Sequence, residues 1–115
     1  MANLFQTKTT QNVGTTLSAI GSFTIPTGQT ATVIGLTLAN KANSGVLVSV
    51  AYGSNTANTL IIKNAPIPAG SSLIPIGGDQ KIVLNEGSTL NVSANTANQV
   101  DAVMSILLQT SGVTD

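Results

Sequence analysis

The stretch IPAGSSLIPIGGDQKIVLNEGSTL, residues 67–90, decides the fold class. It reads as strand, turn, strand, turn, strand, because short apolar runs at 73–76 and 82–84 stand between clusters of Pro, Gly, Asn, Asp and Ser. Pro presets φ near −65°, and Gly and Asn supply positive φ, so these clusters turn the chain for definite physical reasons. The stretch carries one lysine, Lys81, and two carboxylates, Asp79 and Glu86, with no histidine or cysteine. It is scaffold throughout.

The same grammar extends in both directions. In TVIGLTLAN, Ile34, Leu36 and Leu38 are expected on one face, with Val33, Gly35 and Thr37 on the other. Val46, Val48 and Val50 share a face in VLVSVAY, as do Leu90, Val92 and Ala94 in TLNVSA. In VDAVMSILLQ, Val100, Ala102, Met104, Ile106 and Leu108 alternate with Asp101, Val103, Ser105, Leu107 and Gln109. Side chains alternate across a strand, so period two marks half-buried strands. Met104, Leu107 and Leu108 also have helical spacing, but the long alternation and the absence of a helix cap favour strand.

Turn clusters at 26–29, 40–45, 53–58, 66–72, 77–80, 85–88 and 95–99 set strands near 15–24, 30–40, 45–52, 59–65, 71–76, 80–84, 89–94 and 100–109. That spacing predicts an all-β, largely antiparallel sandwich of seven or eight strands, with a jelly-roll path open to it. The sandwich domain covers 13–110, and 111–115 is a short tail. Residues 1–12 are either an arm reaching a partner or an extra edge strand, LFQTKTT, closing the same domain. Leu4 and Phe5 lie outside the main strand grammar and are the residues expected to meet a partner. The repeats IPTG/IPAG and NTAN/NTAN differ in offset, which favours reuse of turn chemistry over internal duplication.

Composition narrows the function. The chain has 115 residues, a one-domain length, with 42% hydrophobic and only 7% charged residues. Soluble domains average about 25% charged. Four lysines and four acids give zero formal charge, so solubility does not rest on charge in the usual way. That points to a surface covered by partners or by further copies. There is no Arg, and the aromatics are Phe5, Phe23 and Tyr52, so neither a basic stripe nor a stacking platform for nucleic acid is expected. No run approaches the ~20 apolar residues of a membrane helix. The opening MANLFQTKTTQN lacks the charged region and apolar run of a secretory signal.

Chemistry finds few candidates. Without His or Cys, no Ser–His–Asp or Cys–His arrangement exists. Asp79 and Glu86 fall in consecutive turns at opposite ends of a strand, about 15–20 Å apart, too far for paired acid–base work. Asp79 is expected to stabilise its turn, and NEGS has too few acids for a calcium loop. The double glycine at 77–78 lacks the rest of a P-loop, and NVS at 91–93 is a mid-strand chance match to a sequon. Tyr52 at a strand end is expected to be a core residue with its hydroxyl capped. No catalytic residue, cofactor or metal is expected.

Residues 60–109 resemble small β-sandwich virion proteins of tailed bacteriophages, of the capsid decoration or cement type. The resemblance is carried by Lys63, Asn64, Pro68, Ala69, Gly70, Ser71, Gly77, Gly78, Lys81, Ile82, Val83, Leu84, Glu86, Gly87, Thr89 and Leu90, and IPTGQTATVIGLTLAN at 25–40 resembles the family's first core hairpin. It implies a structural protein on the capsid surface that clamps neighbouring copies of the major capsid protein. It also implies a homo-oligomer, with trimers favoured. Relatives in necks, tails and fibres keep those locations open; a carbohydrate-binding module and an enzyme rank lower.

Overall fold

A computed structural model describes residues 3–54, 57–77 and 81–110. Nine strands are present among the described residues: β1 (Asn3–Thr10), β2 (Ser18–Ala19), β3 (Gln29–Asn40), β4 (Val46–Gly53), β5 (Asn58–Ile67), β6 (Ser72–Ile76), β7 (Ile82–Leu84), β8 (Thr89–Ala94) and β9 (Val100–Thr110). One sheet runs β1-β9-β3-β6, with β7 also paired to β3; the other runs β2-β8-β4-β5. All pairings are antiparallel. If β6 and β7 are taken as one interrupted strand, this is the order of a jelly roll, in which most connections cross between sheets.

Alternation builds the core. Val46, Val48 and Val50 of β4, Leu90, Val92 and Ala94 of β8, and Val100, Ala102, Met104 and Ile106 of β9 are all buried. The core is aliphatic; Phe23 and Tyr52 only pack against it. β3 departs from the simple reading. Its register with β9 slips between Val33 and Gly35, so Ile34 is an extra residue. Val33, Leu36 and Leu38 are therefore the buried ones, and Ile34 is not in the core. A bulge moves one residue out of phase, and counting by twos cannot foresee it.

The strand expected at 15–24 shrinks to Ser18–Ala19, followed by a 3₁₀ turn at Ile20–Ser22. Gly21 (φ 66°) and Ser22 (φ 52°) are left-handed, which ends extended pairing. Residues 3–10 take the edge-strand form, paired to β9 without interruption from Asn3↔Gln109 to Thr10↔Ala102. The expected tail at 111–115 and the turn at Asp79 lie outside the described residues.

The repeats IPTG and IPAG make the same turn. Gln29 N–H donates to Pro26 C=O and Ser71 N–H to Pro68 C=O, with Gly28 (φ 81°) and Gly70 (φ 70°) third in each turn. Ser88 N–H donates to Asn85 C=O around Gly87 (φ 79°) in the same way. Positive φ at the third position is the type II requirement, met at least cost by glycine.

Asn40, at the end of β3, is 2% exposed and fully engaged. Its Nδ2 donates to the carbonyls of Ser44 (2.8 Å), Ile67 (2.9 Å) and Pro68 (3.3 Å), and its Oδ1 accepts from Ala42 N–H (2.9 Å). One side chain thus ties the β3–β4 loop to the β5–β6 turn. Removing it takes a donor from the buried Ile67 carbonyl. Asn40→Ala is expected to lower the unfolding free energy by about 2–4 kcal/mol, measured by urea denaturation.

Candidate interaction surface

No group of three or more potential metal ligands forms among the described residues. Glu86 Oε1 accepts from Gly28 N–H at 2.9 Å, joining the turn before β3 to the turn before β8. Lys8 Nζ lies 4.2 Å from the centre of the Phe23 ring, a cation–π contact. Tyr52 is capped as expected: its hydroxyl lies 2.8 Å from Ser88 Oγ and accepts a longer bond from Asn85 N–H.

Asp101 begins β9 and sits at a junction. Its Oδ1 lies 2.9 Å from Lys41 Nζ and accepts from Asn12 N–H at 3.0 Å, while Lys41 also donates to Asn12 Oδ1 at 2.6 Å. These contacts fasten the segment after β1 and the loop after β3 to one point. The Lys41 hydrogen bond, followed by the Asn12 amide, holds the Asp101 carboxyl below its ordinary range.

The outer faces of the two sheets differ in arrangement. On the β2-β8-β4-β5 sheet the outward side is mixed: Thr89 Oγ1 donates to Asn91 Oδ1 (2.8 Å) and Asn91 Nδ2 to Asn58 Oδ1 (2.7 Å), while the exposed Leu60 opposes Ala51 and the exposed Leu47 opposes Pro66. The polar end of that face is tied together by side-chain hydrogen bonds. On the five-stranded sheet, directly opposed residues form the outward row Phe5–Leu107–Thr32–Val83 across four strands. A second outward row reads Thr9–Val103–Thr37. Opposed residues of antiparallel strands share a face, so each row is contiguous.

Phe5 is 72% exposed, Val83 51% and Val103 44%; Ile74, on β6, is 63% exposed. Between Phe5 and Ile34 lies a shallow groove of about 300 Å³, lined also by Gln6, Thr7, Ser105 and Ile106. Within the strands, Asp101 is the one charge on this outward side among the described residues, and it is neutralised at the sheet's end by Lys41. Lys81 stands just before β7.

The two residues expected to meet a partner are both exposed but point differently. Phe5 belongs to the outer apolar row. Leu4, 52% exposed, opposes Leu108 on the inward side at the sheet's open edge. Val83, Val103 and Ile74 complete the surface and were not singled out from sequence. A signal was available: Val103 and Leu107 are apolar at positions alternating with the buried set of β9.

A larger groove of about 450 Å³, lined by Thr9, Thr10, Gln11, Asp101, Ala102 and Val103, holds a single ionisable side chain. It has no paired acid or nucleophile–base arrangement. No helix among the described residues is long and apolar enough to cross a membrane.

No family model and no curated protein matches the chain. Among solved structures it is similar to a chain from Bacillus endospore appendages, described as a family of disulfide-linked pili. The TM-score is 0.55 at 13% identity, covering 96% of this chain and 89% of that one. The likeness is one of fold. These 115 residues contain no cysteine, so they offer no disulfide of their own.

The Asp101 junction generates a pH dependence. A carboxyl with a depressed folded pKa contributes stability above its unfolded pKa, near 3.9, and loses it as pH falls through the folded value. The pair is partly exposed, so the effect is small. The melting temperature is expected to fall on acidification below about pH 4. Asp101→Asn should be less stable than wild type at pH 7 and should lose less on acidification, read by thermal melts across pH.

Proposed function

We propose that the protein is a non-enzymatic structural subunit of a bacteriophage virion that coats the outside of the shell and clamps neighbouring major capsid subunits. The observation carrying this reading is the nearly uncharged outer face of the five-stranded sheet, where Phe5, Val83 and Val103 stand exposed in contiguous rows. The resemblance of residues 60–109 to capsid decoration proteins supplies the finer assignment. The jelly-roll sandwich is a fold suited to packing side by side, since it offers flat faces and short loops.

The mechanism is passive. Covering Phe5, Ile74, Val83 and Val103 removes on the order of 300–400 Å² of largely apolar surface, a gross gain of about 8–10 kcal/mol. Association itself consumes much of that in lost translational and rotational freedom. A single copy is therefore held weakly, and a copy bridging two shell subunits is held well, because its second contact forms at high effective concentration. Shell disassembly must first break both.

A second reading, a subunit of a tail, neck, fibre or filament, draws on the fold shared with a spore-appendage protein.

Immunogold labelling and protein quantification on purified particles test both readings. Label spread over the shell, at a copy number comparable to the major capsid protein, is the expected result. Label confined to one vertex, to the tail or to free filaments transfers the assignment to the second reading. The Val83→Asp/Val103→Asp double variant is expected to be retained on particles at least tenfold less after washing, with its melting temperature within a few degrees of wild type.

A further inference from the structure

The strands bordering the two sheets are protected unequally. An open strand edge invites another strand to pair with it, and folded proteins block this with short strands, lysine, proline or bulges. β2 has two residues, β7 has three, and β6 has five including Pro75. β5 is long, but it carries Lys63, Pro66, a left-handed Asn64 (φ 52°) and register shifts against β4. β1 is different. Its ladder with β9 is continuous, and residues 3–7 hold no charge, proline or bulge.

Among the described residues, it is the far half of β1 that is covered. The 3₁₀ turn lies against it: Gly21 N–H donates to Thr10 Oγ1 at 2.7 Å, and a Cβ on Gly21 would stand 3.1 Å from Lys8 Cβ. Among the described residues no strand pairs with the outer edge of residues 3–7, and Leu4 and Phe5 are exposed there.

We propose that this edge pairs with the same edge of a second copy, β1 against β1, antiparallel and centred on Phe5. Centring there opposes Phe5 to Phe5, Leu4 to Gln6 and Asn3 to Thr7. Lys8, the one charge on β1, then falls beyond both ends of the paired stretch, so the two lysines do not oppose each other. The row Val83–Thr32–Leu107–Phe5 continues through the junction into its symmetry mate, and two five-stranded sheets become one of ten strands. Because the same strand is used on both sides, the contact is isologous and closes at two.

Five residues a side bury roughly 300–400 Å² per copy, against the ~800 Å² of a standard interface, so affinity is modest. It becomes effective where copies are held next to one another on a repeating surface, at millimolar effective concentration. The pairing rests on strand order and edge chemistry, and stands or falls separately from the assignment to a phage shell.

The chain contains no cysteine, so Phe5→Cys introduces its single thiol. Opposed residues in an antiparallel pair have Cα atoms about 4.5–5.5 Å apart, within disulfide reach. Mild oxidation of Phe5→Cys is expected to give a covalent dimer, with Thr59→Cys on β5 and Val103→Cys on the outer face giving at least tenfold less. In sedimentation velocity up to about 1 mM, the 11.6 kDa chain is expected to shift toward twice its mass. Phe5→Lys, and Thr7→Lys with Phe5 intact, should remain monomeric with unchanged circular dichroism. A wild-type monomer throughout that range, a trimer, a dimer indifferent to both lysine variants, or equal cross-linking at Thr59 would each overturn the proposal.

Discussion

The insertion of β9 between β1 and β3 is the constraint from which the rest of the molecule follows. Its eleven residues pair with the first strand on one side and with the longest strand on the other. Until it is in place, the larger sheet has neither its central ladder nor its cover of Val100, Ala102, Met104 and Ile106 over the core. Asn3 and Gln109 are neighbours in space and lie at opposite ends of the described chain. Such non-local pairing places folding on the slow side for a domain of this size, because loop closure precedes the contacts that reward it.

The same strand determines the surface. Every inward residue of β9 has outward neighbours, and here these include Val103 and Leu107, where a solvated face would carry charge. Flanked by Phe5 and Thr32, Leu107 becomes one position in a row of β-branched and apolar side chains. The opposite sheet mixes polar and apolar side chains on its outer face. Its outward Thr89, Asn91 and Asn58 bond to one another, on the same side as the exposed Leu47 and Leu60. The difference is one of arrangement: on the five-stranded sheet the exposed apolar side chains belong to rows that run across the strands.

Charge has a structural use in what remains. Glu86 and Asp101 each accept a backbone amide from a distant turn or loop, and Lys41 completes the second junction. These are loop anchors, distributed over the two ends of the sandwich. They explain why a chain so poor in ionisable residues places them where backbone donors would otherwise be left open.

Much of the fold was legible in the order of residues. Alternation marked β4, β8 and β9, and glycine in the third place of three turns fixed where the chain reverses, because both signals are local. The exposed Phe5 could also be picked out as an apolar residue in a polar leader. Ile34 was misplaced, since a bulge is a compromise between two strands and is written in neither. Residues 15–24 read as a strand, but Gly21 and Ser22 are left-handed where the chain lies against Lys8 and Thr10. Val83 and Val103 became a surface only when β9 and β7 were brought to the two sides of β3. Sequence alone determined periodicity, turn chemistry and the lack of reactive groups, which depend on near neighbours along the chain. Strand order, and with it which faces and edges stay open, was decided by tertiary structure, because pairing joins residues whose separation in sequence carries no local mark.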